Sequence, residues 1–441
     1  MKRLLSLLLC VVLALFCATT AQAAGVSITL TASEYALHYA FDAGAQDPFV
    51  ILEYTTPAEK GWMMLYSEDG HFEGDVSLAY SGAGGKTSVA LTSARTTGSI
   101  GKASTTLPKA ADYQKPTGKS NAKVTDFMLT ETPEGFHYAF NAAGTDYMLL
   151  YWRSKEQTVT QPVYPDENGH YEGDVISDLT FARTQFTVQV KSGSGSMKKE
   201  ATVRKGYQAP EAPQRQEGRL SGVTVCIDAG HQENGRFVNE PIGPGLTGST
   251  SGKGGMAQGT KTNRRESIVC LEIGMLLRDE LLRQGANVVM TREDQTTFHT
   301  NIERCEIAEA GGAQIMLRLH CNNSSNRSKR GIQVYGPLNS DYAKAVADAD
   351  TYREMGQTLL DAMKTRVGMT LANSTGMVRL NDNYVGNNWA KMMCFLVEMG
   401  YLSNPAEEYL LVTPVYQQWL AEGMADGVYE IAVARGWVQA Q

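Results

Sequence analysis

A basic surplus is missing from this chain. Its 40 lysines and arginines face 47 aspartates and glutamates, for a formal net charge of −7. That balance gives no electrostatic case for nucleic acid, nor for simple charge attraction to an anionic envelope. Cysteine is sparse, with seven residues. Cys10 and Cys17 fall in an N-terminal leader, and the other five, Cys226, Cys270, Cys305, Cys321 and Cys394, all lie beyond residue 220. Five is an odd number and no pair has Cys-x-x-Cys spacing, which argues against a disulfide framework and against a Cys-rich metal site. Buried free thiols are expected instead. A Gly-Lys-Gly-Gly run near residue 252 lacks the rest of a phosphate-loop pattern. Histidine is scarce too, with seven residues, of which only His231, His299 and His320 lie in the second half.

Long apolar runs are absent beyond the N-terminus. Lys2 and Arg3 precede an apolar stretch from Leu4 to Phe16, and Ala21-Gln22-Ala23 has the small-x-small pattern of a cleavage site. The stretch is shorter than the roughly 18 residues that suggest a spanning helix. Residues 1–23 therefore read as a secretory signal, with an uncleaved anchor as the alternative. Cys17 does not read as a lipoprotein site, because Leu15-Phe16 precedes it where small residues are preferred. Removing Lys2 and Arg3 would take the charge from −7 to −9. The mature chain is expected to be exported and soluble, without a membrane span, and to act in the cell wall, the periplasm or outside the cell. With 441 residues, 42% of them hydrophobic, it is long enough for about three packed domains.

A tandem repeat fills the first half. His38-Tyr39-Ala40-Phe41 recurs as His137-Tyr138-Ala139-Phe140, and Gly70-His71-Phe72-Glu73-Gly74-Asp75-Val76 recurs as Gly169-His170-Tyr171-Glu172-Gly173-Asp174-Val175. Both recurrences fall 99 residues on (38 to 137, 70 to 169). Short alternating runs such as Val26-Ser27-Ile28-Thr29-Leu30, punctuated by Gly and Asp-Gly turns, predict two antiparallel sandwich-like modules over 24–110 and 120–206. The repeated histidines are expected to be half-exposed strand and turn residues rather than metal ligands. The modules could bind wall, act as spacers or dock a protein partner. A polar, Pro-containing linker over 207–220 follows. The block 221–441 then alternates strands and helices, which predicts an α/β domain with a mostly parallel sheet. Its expected strands are 223–228, 287–291, 315–320, 332–335 and 394–398, and its expected helices 265–284, 301–311, 341–366, 405–411 and 414–435.

His231 closes the run Val223 to His231, His320 closes Ile315 to His320, and Glu398 closes Cys394 to Glu398. Crevices in open α/β sheets form at the carboxyl ends of strands, and Glu266 opens a helix at that same edge. Two imidazoles and one carboxylate, with a fourth position left to water, is the ligand count of a catalytic zinc site. Each residue also has a plainer reading. Glu266 could close a capping box with Asn263, and Glu398 could bind the backbone of the Gly400-Tyr401 turn. The histidines could be satisfied polar residues at a sheet edge. Asp228 could orient His231 or merely end its strand. Arg292 and Arg304 could pair with substrate carboxylates or with buried partners.

Taken together, the strings Ile227-Asp228-Ala229-Gly230-His231, Glu266 leading a helix, Val288-Val289-Met290-Thr291-Arg292, Glu303-Arg304, Leu319-His320-Cys321-Asn322 and Leu396 to Asn404 resemble the zinc-dependent N-acetylmuramoyl-L-alanine amidases of the amidase 3 family. The resemblance runs from about Val223 to Arg435 and leaves out the repeats. It implies His231, Glu266 and His320 as ligands of Zn2+ and Glu398 as the catalytic acid/base. It also implies hydrolysis of the amide between N-acetylmuramic acid and L-alanine in peptidoglycan. A zinc peptidoglycan peptidase and a non-catalytic wall-binding protein are the competing readings. Two departures stand out. The insert Asn239 to Thr262, rich in Gly, Ser and Thr, is expected to form a mobile loop over the site, and Arg318 stands where the family more often has serine. His299 reads as a loop residue, and Cys321 as a thiol outside the ligand set.

Overall fold

A computed structural model describes residues 19–22, 25–132, 135–154, 157–176, 185–204, 209–232, 238–250, 255–262, 264–368 and 377–440. Most of the expected signal segment, part of the expected linker and the centre of the insert lie outside these residues. Among the described residues, no helix is long and apolar enough to cross a membrane. The chain divides into two compact units, the first ending near Val203 and the second formed chiefly by Arg204–Gln441.

The first unit is antiparallel β-structure. Strand Ser27–Ala32 buries Ile28 and Leu30, and Ala36–Asp42 buries Leu37, Tyr39 and Phe41, with half-buried or exposed residues between them, so one face of each strand is apolar. Ile28, Leu30, Leu37, Tyr39 and Phe41 from one sheet share a core with Val50, Leu52, Leu65, Val89 and Leu91 from the other. Equivalent contacts recur in the second copy. Phe41 stacks on Phe72 at 4.9 Å, and 99 residues on (41 to 140, 72 to 171) Phe140 stacks on Tyr171 at 4.5 Å. The two sandwiches are not separate. Strand Gln157–Val163 pairs antiparallel with Glu59–Tyr66, so that both copies share one eight-stranded sheet. Buried Glu59 crosses this seam, accepting a hydrogen bond from Gln157 Nε2 at 2.8 Å. The four repeated histidines sit on the outer face in matched chains of polar contacts. His38 touches Asp75 and Glu73, and His137 touches Asp174 and Glu172.

In the second unit the described residues form six strands interspersed with helices. In chain order these are β1 (Thr224–Ala229), α1 (Glu266–Arg283), β2 (Asn287–Met290), α2 (Asn301–Ala310) and β3 (Ile315–Asn322). Then come β4 (Gln333–Gly336), α3 (Asp341–Val346), α4 (Ala349–Val367), β5 (Met377–Leu380), α5 (Val385–Trp389), β6 (Met393–Tyr401), α6 (Glu407–Leu410) and α7 (Pro414–Ala434). The sheet order is β2-β1-β3-β6-β4-β5. Strands β2, β1, β3 and β6 run parallel, whereas β4 opposes β6. The central strands are buried almost throughout, as parallel strands covered on both faces must be. Gly274 of α1 lies against Ile227, Ala229 and Leu319 on one face, while Cys226, Met316 and Cys394 pack with Cys305 and Ala308 of α2 on the other. All five described cysteines are free and buried.

Two expected elements differ in detail. The helix expected over 341–366 breaks at Ala347-Asp348, because the Asp348 side chain accepts from Thr351 N and restarts the helix as an N-cap. Strand β5 and helix α5 had no counterpart among the expected elements; both are short and lie among polar residues. Residues 209–220 of the expected linker belong to the second unit. Leu220 is fully buried there, and Gln216 N donates to Leu282 O at 3.0 Å.

Candidate active site

Strand register brings the site together. Asp228 lies opposite Arg318, and His320 opposite Glu398, across adjacent parallel strands. Alternation along β1, β3 and β6 sends Asp228, Arg318, His320 and Glu398 to the face covered by α2. His231 emerges two residues beyond β1. Its φ of 56° is left-handed, unusual for a residue with a side chain. Gly230 before it allows a tight approach: a Cβ there would lie 2.4 Å from Leu319 O and 2.5 Å from His320 Cε1.

Two buried arginines hold this turn. Arg292 donates to Ala229 O at 2.7 Å, Gly230 O at 2.9 Å and Ser267 O at 2.7 Å. Arg304 donates to Ala229 O at 2.9 Å and His231 O at 3.2 Å, and also binds Gln232. Burial and the neighbouring charge of Arg304 push Arg292 down to about 10. Both arginines thus take the buried role among the two readings of their sequence. The Asp228 carboxylate is engaged by Thr291 at 2.8 Å, by Arg318 Nε at 2.9 Å and by Arg304. Burial would raise its pKa, but the paired guanidiniums outweigh that and hold it well below the usual carboxylate range. Asp228 therefore reaches His231 only through Arg304, and no bond joins its carboxylate to the imidazole. Arg318 completes this network and donates to Asn301 Oδ1 at 2.7 Å.

The ligand-type atoms of His231, Glu266 and His320 all lie within 4.8 Å of one another. His231 Nε2 is 3.1 Å and His320 Nδ1 3.0 Å from the same oxygen, Glu266 Oε1. Helix α1 begins at Glu266 with Arg265 as its N-cap and no side-chain cap, so Glu266 does not close a capping box. Its carboxylate is steered by backbone: Cys321 N donates to Oε1 at 3.0 Å and Ala257 N to Oε2 at 2.8 Å. Burial raises the pKa of Glu266, but its bonds to the two imidazoles more than offset this and keep it ionised. Burial lowers that of His320, which favours the neutral, ligating ring. Cys321 faces Cys270, and burial drives its thiol pKa up, so it remains a neutral thiol outside the cluster. His299 lies outside the cluster, and its carbonyl accepts from Arg304 Nε at 3.2 Å.

Glu398 stands beside His320 with Oε2 buried and without a hydrogen-bond partner among the described residues. Burial, then the charge of Glu266, push it up to about 8. It does not bond the backbone of the following turn; Glu407 accepts from Tyr401 N instead, at 2.8 Å. The donor set could hold a metal ion: two nitrogens and one carboxylate oxygen lie within 4.8 Å of one another, and atoms bound at about 2.0–2.2 Å in a tetrahedral site lie roughly 3.4 Å apart. Glu398, opposite His320 in the register of β3 and β6, adds a buried carboxyl beside this group.

The insert is tied down at both ends. Glu240 accepts from Asn301 N at 3.2 Å and Ile302 N at 2.8 Å, at the N-terminus of α2. Glu408 accepts from Lys261 N and Thr262 N. Nothing local in the sequence marks these two acids. Their partners lie 61 and about 147 residues away in the chain.

Residues 225–430 match the family model described as N-acetylmuramoyl-L-alanine amidase. The chain is also similar to the probable cell wall amidase LytH of Staphylococcus aureus, at 27% identity over 218 residues. That match covers 48% of this chain and spans 60% of the relative's length. Among solved structures, an N-acetylmuramoyl-L-alanine amidase from Clostridium difficile 630 is 24% identical with a TM-score of 0.38, covering 48% of this chain and 96% of its own. The amidase Ami1 of Mycobacterium abscessus is 18% identical with a TM-score of 0.42, covering 48% and 99%. The match to the N-acetylmuramoyl-L-alanine amidase family thus lies within the second unit, over residues 225–430, and takes in the strands and helix that carry His231, Glu266, His320 and Glu398.

Proposed function

We propose that this protein is a zinc-dependent N-acetylmuramoyl-L-alanine amidase that acts on peptidoglycan outside the cytoplasm. The observation that carries this reading is the convergence of His231, Glu266 and His320 within 4.8 Å, with Glu398 opposite His320 and its buried Oε2 without a partner among the described residues, inside the family-matched segment. His231, Glu266 and His320 would hold the ion. Zinc so bound would polarise the scissile carbonyl and acidify water at its open position.

The remaining chemistry belongs to the chain. Glu398 takes the proton of the attacking water and delivers it to the amine of L-alanine as the C–N bond breaks. An amide nitrogen leaves poorly unless protonated, so one group must carry that proton across. Glu398 suits the task because burial and Glu266 raise its affinity for a proton, while positive charge among the ligands would draw it back toward neutrality. Arg292 and Arg304 hold the His231 turn. The backbone amides of Ala257 and Cys321 hold Glu266. The tandem modules are assigned a wall- or protein-docking role, which a pull-down on purified wall with the full chain and a repeat-deleted chain would test.

Digestion of purified peptidoglycan, analysed by mass spectrometry with and without a chelator, tests the activity. Intact stem peptides with a free L-alanine amine, lost on chelation, are expected. Shortened stems would show a peptidase, and turnover unaffected by stringent demetallation would end the zinc reading.

A further inference from the structure

The insert between β1 and α1 does more than border the crevice. Its last described stretch, 255–262, makes two contacts with Glu266: Ala257 N donates to Glu266 Oε2 at 2.8 Å, and Glu266 N donates to Ala257 O at 2.9 Å. Gln258 forms an isolated bridge with Arg265 beside them. A few residues on, the same stretch wraps the carboxylate of Glu408, which is fully buried in the segment after β6. Glu408 Oε1 accepts from Lys261 N at 3.0 Å and Thr260 Oγ1 at 3.2 Å, and Oε2 accepts from Lys261 N at 3.0 Å, Thr262 N at 3.3 Å and Thr262 Oγ1 at 3.4 Å. Gly259 permits this closeness, since a Cβ there would lie 2.4 Å from Glu408 Oε2. A carboxylate cradled by successive amides is a fixed point for the chain around it.

We propose that Glu408 is a positioning residue for the metal centre, acting through Ala257 on Glu266. A carboxylate can bind a cation through one oxygen or both. The Ala257 amide donates to Oε2, while Oε1 faces His231 and His320. One-oxygen binding keeps the site at three protein ligands with a position open for water; two-oxygen binding would crowd that position. Partners that orient metal ligands are typically worth about 10–100-fold in affinity. The insert, in this account, is a splint for Glu266, and Glu408 is the pin that holds it. This rests on the zinc reading above.

The test compares the full-length wild type with Glu408→Gln, which keeps the size but places an amide NH2 among donors. Zinc affinity is read by chelator competition, the visible spectrum is recorded after cobalt substitution, and amide exchange is followed over 255–262. Expected are an affinity 10- to 100-fold weaker, faster exchange reaching Ala257, and weaker cobalt absorption as coordination rises above four. The double variant Thr260→Ala, Thr262→Val removes two donors and spares the carboxylate, so it should shift the same readouts less, and it serves if Glu408→Gln does not fold. Faster exchange at 260–262 with zinc affinity and cobalt spectrum unchanged would overturn the proposal and leave the zinc reading intact. A wild type that binds no zinc would overturn both, and the two failures are told apart by the wild type alone.

Discussion

Replacing Arg304 by methionine should unpin His231 and cost the domain a large part of its stability. Arg304 is 4% exposed and serves five acceptors: Asp228, Gln232 and the carbonyls of Ala229, His231 and His299. Removing one partner of a buried ion pair typically costs about 3–5 kcal/mol. Here Asp228 keeps Arg318 at 2.9 Å and Thr291 at 2.8 Å, and Ala229 O keeps Arg292, which argues for the low end of that range. The His231 carbonyl has no such substitute, and the left-handed conformation it anchors carries a penalty of roughly 1–2 kcal/mol. A total near 4–5 kcal/mol results, and at about 2–4 °C per kcal/mol for a domain of this size the midpoint should fall by roughly 8–20 °C. Melting should be measured with a chelator present, since bound metal would add its own stabilisation. Arg304→Lys keeps the charge but not the fork that spans Asp228 and His231 O. It should recover part of the stability and little of the metal affinity. An Arg304→Met protein that melts within about 2 °C of wild type and binds zinc equally well would refute the reasoning, because a cost of about 4 kcal/mol could not hide in so small a shift.

Other outcomes follow from the same geometry. Glu398→Ala should keep one zinc per chain yet lose about 10²–10⁴-fold in amide hydrolysis; wild-type turnover would remove it from the proton path. His320→Ala should lose stoichiometric metal by elemental analysis, and one zinc per chain retained would exclude it as a ligand. Gly230→Ala forces a Cβ against Leu319 O and the His320 ring, so it should both lower zinc occupancy and destabilise by about 1–3 kcal/mol; a neutral effect would show that the turn has room. Asp228 is held below its unfolded pKa, so its contribution is full above about pH 4 and is lost as pH falls below that. The stability gap between wild type and Asp228→Asn, from denaturant titrations, should be flat from pH 5 to 8 and shrink toward pH 2; a gap that instead widens on acidification would reverse the assignment.

Local sequence carried a good deal of this. The apolar run ending in Asp228-Ala229-Gly230-His231 could hardly be other than a buried strand with a polar exit, and the same holds for Ile315 to His320 and Cys394 to Glu398. Because parallel strands share one carboxyl edge, those endings already told which end of the sheet would hold the chemistry. The repeat was equally legible, since its stacked aromatics recur at one offset. What the string of residues could not decide was adjacency and side-chain choice. That β1, β3 and β6 are neighbours, placing His320 opposite Glu398, is a property of sheet order. Whether Glu266 caps a helix or faces two imidazoles depends on atoms 35 and 54 residues away (231 and 320 from 266), which the packing alone brings within 3.1 Å. The fusion of two sandwiches through Glu59–Tyr66 and Gln157–Val163, and the grip of Glu408 on the insert, were invisible for the same reason. Periodicity reports which face of an element is buried; only the folded chain determines what that face is buried against.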